Sequence, residues 1–339
     1  MCEPLLSVNR SPKDEEQEGR VSLHDLKPQL ADMREEVLAG LAAQPRRIAP
    51  KYFYDKRGSE LFDAITRLPE YYPTRTEVGI LESRLDAIAG MLGRGNVLLE
   101  YGSGSSRKIR LLLESLRPLA YLPVDISREH LLGAAEALAV DYTWLEIHAI
   151  CADYADGLEL PWRPPPRAGV DVPITAFFPG SSIGNFERPA AARFLAGVRR
   201  TLGRNGQLLV GVDRRKETAA LEAAYNDSEG VTAAFNRNVL VHLNRALAGD
   251  IDVDAFAHRA HYDEREGRIE MHLVAQRAVS FTLGGESFDV EAGESIHTEN
   301  SYKYAPEEFR ELAAGVGFDS VAEWSDPQAQ FSVFLLRAQ

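Results

Sequence analysis

The stretch Val97-Leu98-Leu99-Glu100-Tyr101-Gly102-Ser103-Gly104-Ser105-Ser106-Arg107-Lys108 constrains this 339-residue chain more than any other. An apolar run ending in glycine reads as a buried strand, and Ile109, Leu112, Leu113 and Leu116 behind it have helical spacing. A strand, a tight turn and a helix in that order present the unpaired N–H groups of a helix N-terminus to negative charge. Two glycines one residue apart let a ligand approach the backbone. Arg107 replaces the third glycine of the dinucleotide fingerprint, so the turn alone does not choose the ligand.

The next apolar run, Ala120-Tyr121-Leu122-Pro123-Val124-Asp125, ends in an acid 23 residues after Gly102. A carboxylate there is placed to accept both hydroxyls of a ribose. Two nucleoside cofactors suit this arrangement, a nicotinamide dinucleotide and S-adenosylmethionine.

Beyond it the pattern alternates: a helix over 75–92 leads into the organising strand, and strand 120–125, helix 128–140, strands 145–151 and 173–178, helix 188–202 and strand 207–212 follow. Such alternation predicts an α/β fold, a parallel sheet with helices on both faces and a ligand crevice at the carboxyl ends of the strands. Asp153, after the third strand, and Asn185, after the fourth, share that rim with Gly102 and Asp125. The alternation stops after Asp213. Two helical stretches, 217–225 and 229–247, and polar–apolar alternation from 268 to about 288 read as an inserted second domain. A helix over 306–316 and two strands, 321–324 and 331–336, close the chain as a hairpin. An antiparallel pair at the sheet edge is the ending of S-adenosylmethionine-dependent methyltransferases, an analogy of fold that favours the methyl donor.

At the other end, residues 1–25 read as a flexible tail, followed by helical spacing at Leu26, Leu30, Met33, Val37, Leu38 and Leu41. The net charge of −13 argues against nucleic acid and anionic membrane as partners, and no apolar run is long enough to span a bilayer. Two cysteines, Cys2 and Cys151, fit a reducing cytoplasm better than a disulfide framework. His258 and His261, with Asp263 nearby, lie on what reads as a strand start, where spacing of three does not suit a metal.

Six blocks in order then make a resemblance: KYFYDKRGSELFDAITRLPEYYPTRTE at 51–77, EYGSGSSRK at 100–108, FPGSSIGN at 178–185, AAYNDSEGVTAAFNRN at 223–238, RIEMHL at 268–273 and HTENSYK at 297–303. From about residue 26 to its end the chain resembles the histidine N-alpha-methyltransferases of ergothioneine biosynthesis. That family implies a Rossmann-like class I methyltransferase with a seven-stranded, mostly parallel sheet over 75–215 and 304–339. It also implies a second, α+β substrate-binding domain from 26–74 and 216–303. The implied reaction is trimethylation of the α-amino group of L-histidine by S-adenosylmethionine, without metal, in a cytoplasmic monomer.

Carried over motif by motif, Tyr54 and Asn185 stand nearest the chemistry, and Tyr54 and Tyr71 belong to the pocket. Tyr71, Gly102, Gly104, Lys108, Asp125 and Asp153 hold the cofactor. Asn185 and Tyr225 grip the backbone end of the amino acid, Met271 packs on the ring, and Glu299 and Ser301 hydrogen-bond the imidazole. The chemistry agrees with the types. A cation in the first turn of a helix is poor for the dipole, so Lys108 is expected to face a carboxylate, that of the cofactor or Asp125. Asn185 carries a donor and an acceptor, and Glu299 and Ser301, two apart on an extended segment, point the same way. Three other readings remain at this level: an N-methyltransferase for another amino acid or amine, a nicotinamide-dependent dehydrogenase, and a non-catalytic sensor of the nucleoside, against which the intact rim residues argue.

Overall fold

The computed structural model describes residues 20–26, 33–103, 107–155, 157–166, 169 and 171–339. Its strands, in chain order, are β1 Val21–Asp25, β2 Arg46–Arg47, β3 Val97–Tyr101, β4 Ala120–Asp125, β5 Glu146–Cys151, β6 Ile174–Phe178, β7 Gln207–Asp213, β8 Phe256–Asp263, β9 Arg268–Ala275, β10 Val279–Leu283, β11 Glu286–Val290, β12 Ser295–Tyr302, β13 Phe318–Ser325 and β14 Phe331–Ala338. Eight of them form one sheet in the order β1-β5-β4-β3-β6-β7-β14-β13. The pairings from β1 to β7 are parallel, and β14 runs antiparallel to both β7 and β13. The chain is thus an α/β protein with a mostly parallel sheet, and the expected terminal hairpin lies on the sheet edge.

Every residue of β3 is buried, as a central parallel strand requires. Successive side chains point to opposite faces. Val97, Leu99 and Tyr101 join one core with Phe178 and Phe194, and Leu98 joins another with Leu112 and Leu113. The helix Arg107–Leu116 lies on that second face and buries Ile109, Leu112, Leu113 and Leu116 completely.

The sheet has one strand more than expected. Val21–Asp25, read from sequence as part of a flexible tail, pairs in parallel with β5 from Val21↔Ile147 to Asp25↔Cys151. His24 Nε2 meets His148 Nδ1 at 3.0 Å, and Arg20 donates to the Thr143 carbonyl at 2.7 Å, so side chains pin the edge strand too. Of the helix expected near residues 26–41, Met33–Ala42 is found; Leu30 lies outside the described residues.

A third core belongs to a second lobe. It gathers Val37, Leu41, Phe53, Leu61 and Tyr71 from the N-terminal segment with Leu221, Phe235, Val239, Met271, Leu273 and Ile296 from the insertion. The second lobe's sheet runs β2-β12-β9-β8, with β2 from the N-terminal segment, and β10 and β11 form a separate hairpin. The lobes meet where the turn Ser182–Asn185, after β6, packs on β12. A Cβ on Gly184 would lie 2.6 Å from the Tyr302 carbonyl oxygen, so only glycine permits this approach. Among the described residues no helix is long and apolar enough to cross a membrane.

Candidate active site

Seven residues singled out from sequence line one pocket at the seam between the lobes: Tyr54, Tyr71, Asn185, Tyr225, Met271, Glu299 and Ser301. Tyr54 follows the short turn Pro50–Phe53, and Tyr71 immediately precedes the helix Tyr72–Leu92. Tyr225 ends the helix Thr218–Tyr225, and Met271 lies on β9 directly across from Glu299 on β12. Alternation along β12 turns Glu299 and Ser301 to the pocket, as their spacing predicts. Phe62, Phe235 and Ile65 complete an apolar wall.

Asn185 Nδ2 donates to Glu299 Oε1 at 3.0 Å, a bond that crosses from one lobe to the other. Burial pushes the Glu299 carboxyl up to about 7, against the pull of the Lys303 ammonium and the Asn185 amide. Tyr54 is half-buried, and burial raises its phenol well above the ordinary value; the charges of Glu299 and Asp125 add to the rise. The Tyr54 hydroxyl therefore stays protonated, able to donate a hydrogen bond and poorly suited to remove a proton.

Beneath the pocket runs a network that sequence patterning did not reveal. Lys303 Nζ donates to Ser301 Oγ at 2.8 Å and to the Tyr225 hydroxyl at 3.1 Å, and it meets Asp213 Oδ2 at 2.9 Å. Lys216 Nζ lies 2.5 Å from Asp213 Oδ1, and the Tyr72 hydroxyl donates to the same carboxylate. Burial would raise Asp213, yet the two ammonium groups outweigh it and hold the acid below its ordinary value. Lys303 was within reach of sequence reasoning: it stands two residues after Ser301, on the same face of the strand.

The rim at the carboxyl ends of β3, β4 and β5 carries the residues read as a nucleoside site. Gly102 turns with φ +71°, and its N–H donates to the Val124 carbonyl at 2.9 Å. Asp125 ends β4 half-buried; burial pushes its carboxyl up to about 6, and Oδ1 accepts from the Ser127 N–H at 2.8 Å. Asp153 is exposed just past β5. Gly104 lies outside the described residues. Lys108 does face a carboxylate, but not Asp125: its Nζ pairs with the fully buried Glu77 at 2.5 Å. Glu77 also accepts from the Gly180 N–H, at 2.9 and 3.1 Å, and so ties the helix behind the glycine turn to the floor of the pocket. The set suits S-adenosylmethionine, with one carboxylate at the end of β4 and a second acid just past β5.

His258 and His261 do not converge. His258 bonds the Tyr225 carbonyl through Nε2 and the Asn236 side chain through Nδ1. Among the described residues, His261, Glu270 and His272 bring ligand-type atoms within 4.8 Å of one another. Arg268 already supplies the countercharge there, donating to Glu270 Oε1 at 2.6 and 2.8 Å.

Residues 33–338 match the family model described as histidine-specific methyltransferase, SAM-dependent. The chain is 41% identical over 309 residues to the histidine N-alpha-methyltransferase of Mycolicibacterium smegmatis, covering 89% of this chain and 94% of that protein. It is 33% identical over 288 residues to ergothioneine biosynthesis protein 1 of Neurospora crassa, covering 83% of this chain and 32% of that protein. A 4-dimethylallyltryptophan N-methyltransferase of Epichloe festucae var. lolii is 26% identical over 324 residues, 89% of this chain and 93% of that protein.

Proposed function

The chain belongs to the SAM-dependent, histidine-specific methyltransferases, and on that footing we propose that it trimethylates the α-amino nitrogen of L-histidine to hercynine, the first step of ergothioneine biosynthesis. The observation that carries this reading is the bond from Asn185 to Glu299. It joins the methyl-donor lobe to the insertion across a pocket with an apolar wall and one polar end.

S-adenosylmethionine supplies an electrophilic methyl group on a sulfonium. The protein's part is to bring the amine nitrogen into line with that group and to keep water out, which is catalysis by positioning. Asp125 and Asp153 hold the nucleoside, while Asn185 orients the amino-acid end; the Tyr225 hydroxyl, bonded to Ser301 and Lys303, serves the ring end instead. Tyr54, kept neutral by burial and by the charges of Glu299 and Asp125, donates a hydrogen bond at the meeting of the two substrates. Met271 packs against the ring, and Glu299 and Ser301 hydrogen-bond it.

Incubation with L-histidine and S-adenosylmethionine, followed by mass spectrometry, should give a product heavier by three methyl groups; no mass gain refutes the reading. Glu299→Ala removes a charged hydrogen bond of about 1.5–3 kcal/mol, so kcat/KM for histidine should fall about 10- to 100-fold. Unchanged turnover of histidine in that variant would remove Glu299 from the ring site. An enlarged Gly184 has a separate effect. Gly184→Ala forces its turn away from Tyr302 and carries Asn185 off Glu299, at about 1–3 kcal/mol for overpacking. KM for histidine should rise about tenfold while the affinity for S-adenosylhomocysteine changes little, a split that steady-state kinetics and calorimetry read separately.

A further inference from the structure

We infer that the buried Asp213–Lys303 pair, acting through Tyr225, fixes the hydroxyl of Ser301 as a hydrogen-bond donor toward the pocket, so that the site accepts only a neutral azole ring offering one bare nitrogen and one N–H. The inference rests on the reading of the pocket as the place of the histidine ring, and it adds the sense of each hydrogen bond and a positioning residue, Lys303.

The argument is a count of protons. Lys303 is 1% exposed and has three, and three acceptors surround it: Asp213 Oδ2 at 2.9 Å, Ser301 Oγ at 2.8 Å and the Tyr225 oxygen at 3.1 Å. None is left for a ligand. The Tyr225 hydroxyl oxygen accepts from Lys303, so its own proton goes to Ser301 Oγ at 2.8 Å. A phenol is a better donor than an alcohol and a poorer acceptor, which favours this sense over the reverse. Ser301 Oγ then receives two hydrogen bonds, one for each lone pair, and its remaining proton points to the open side. An N–H presented there would find no acceptor.

The opposite holds at Glu299. One carboxylate oxygen is taken by Asn185, and the other can only accept while the group is ionised. The surrounding charges balance in that state, with Asp213 and Glu299 against Lys216 and Lys303. A neutral imidazole fits this pair in one tautomer and one ring orientation. An imidazolium leaves a buried N–H unpaired, and a pyrrole leaves the Ser301 hydroxyl unpaired; both are costly.

The test measures binding by calorimetry with S-adenosylhomocysteine present, using L-histidine, β-(1,2,4-triazol-3-yl)alanine, whose ring stays neutral in acid, and the two pyrrolylalanines. The wild-type protein should prefer histidine to either pyrrolylalanine by about tenfold or more. Lys303→Met should compress that ratio toward the value in Ser301→Ala, although Ser301 is still present. A merely structural role would weaken all ligands alike and leave the ratio unmoved. If Lys303→Met does not fold, Tyr225→Phe frees a lone pair on Ser301 without stranding a charge and should compress the ratio too. An unchanged ratio in the folded variants overturns the inference.

As pH falls below the histidine ring's value near 6.5, triazolylalanine should gain on histidine by about tenfold per unit, because protonation of Glu299, pushed up to about 7, weakens both azoles alike and cancels from the ratio. A flat ratio also overturns the inference. If histidine itself fails to bind at any pH, it is the reading of the pocket that fails instead.

Discussion

Glu77→Ala should destabilise the protein by about 3 kcal/mol, the scale for breaking a buried ion pair by removing one partner. The Glu77 carboxylate is fully buried and satisfies both Lys108 Nζ and the Gly180 N–H. Truncation strands an ammonium whose side chain is only 12% exposed, together with a backbone donor. The urea midpoint should drop with little change in slope. Glu77→Gln keeps an acceptor for Gly180 and should lose less. Replacing both charged partners with methionine should recover most of the stability, because no unpaired charge remains. An alanine variant unfolding at the wild-type midpoint would show that the pair contributes nothing.

Asp125→Ala is expected to weaken S-adenosylhomocysteine binding by about 100-fold or more. Two ribose hydroxyls on one carboxylate are two charged hydrogen bonds, each of about 1.5–3 kcal/mol. Histidine affinity, measured with saturating S-adenosylhomocysteine, should change far less. The reverse pattern in calorimetry would break the assignment of Asp125 to the nucleoside.

The organising strand and its helix were legible in the sequence because a continuous apolar run, as a strand buried on both faces requires, meets a 3.6-residue periodicity at a glycine turn, and burial followed both. The pocket residues were legible mainly through the six blocks; without them Glu299 reads as a solvated surface acid, whereas it is 7% exposed. What stayed hidden was pairing at long range. Glu77 meets Lys108 31 residues on and Gly180 103 residues on, partners that only tertiary packing selects. Strand β1 was missed for a related reason. Its residues form no continuous apolar run, and its support comes from pairing with β5 and from His148, 124 residues away.

The helix Tyr72–Leu92 touches both halves of the reaction. Tyr71, at its entrance, lines the amino-acid pocket, and Glu77, six residues on, holds the helix behind the nucleoside turn. At 1.5 Å per residue these two points stand roughly 9 Å apart along a stiff rod. The rod works as a gauge block. On the proposed reading it fixes the reach between acceptor nitrogen and donor carbon, so that an amino acid with a shorter or longer side chain would present its nitrogen at the wrong depth.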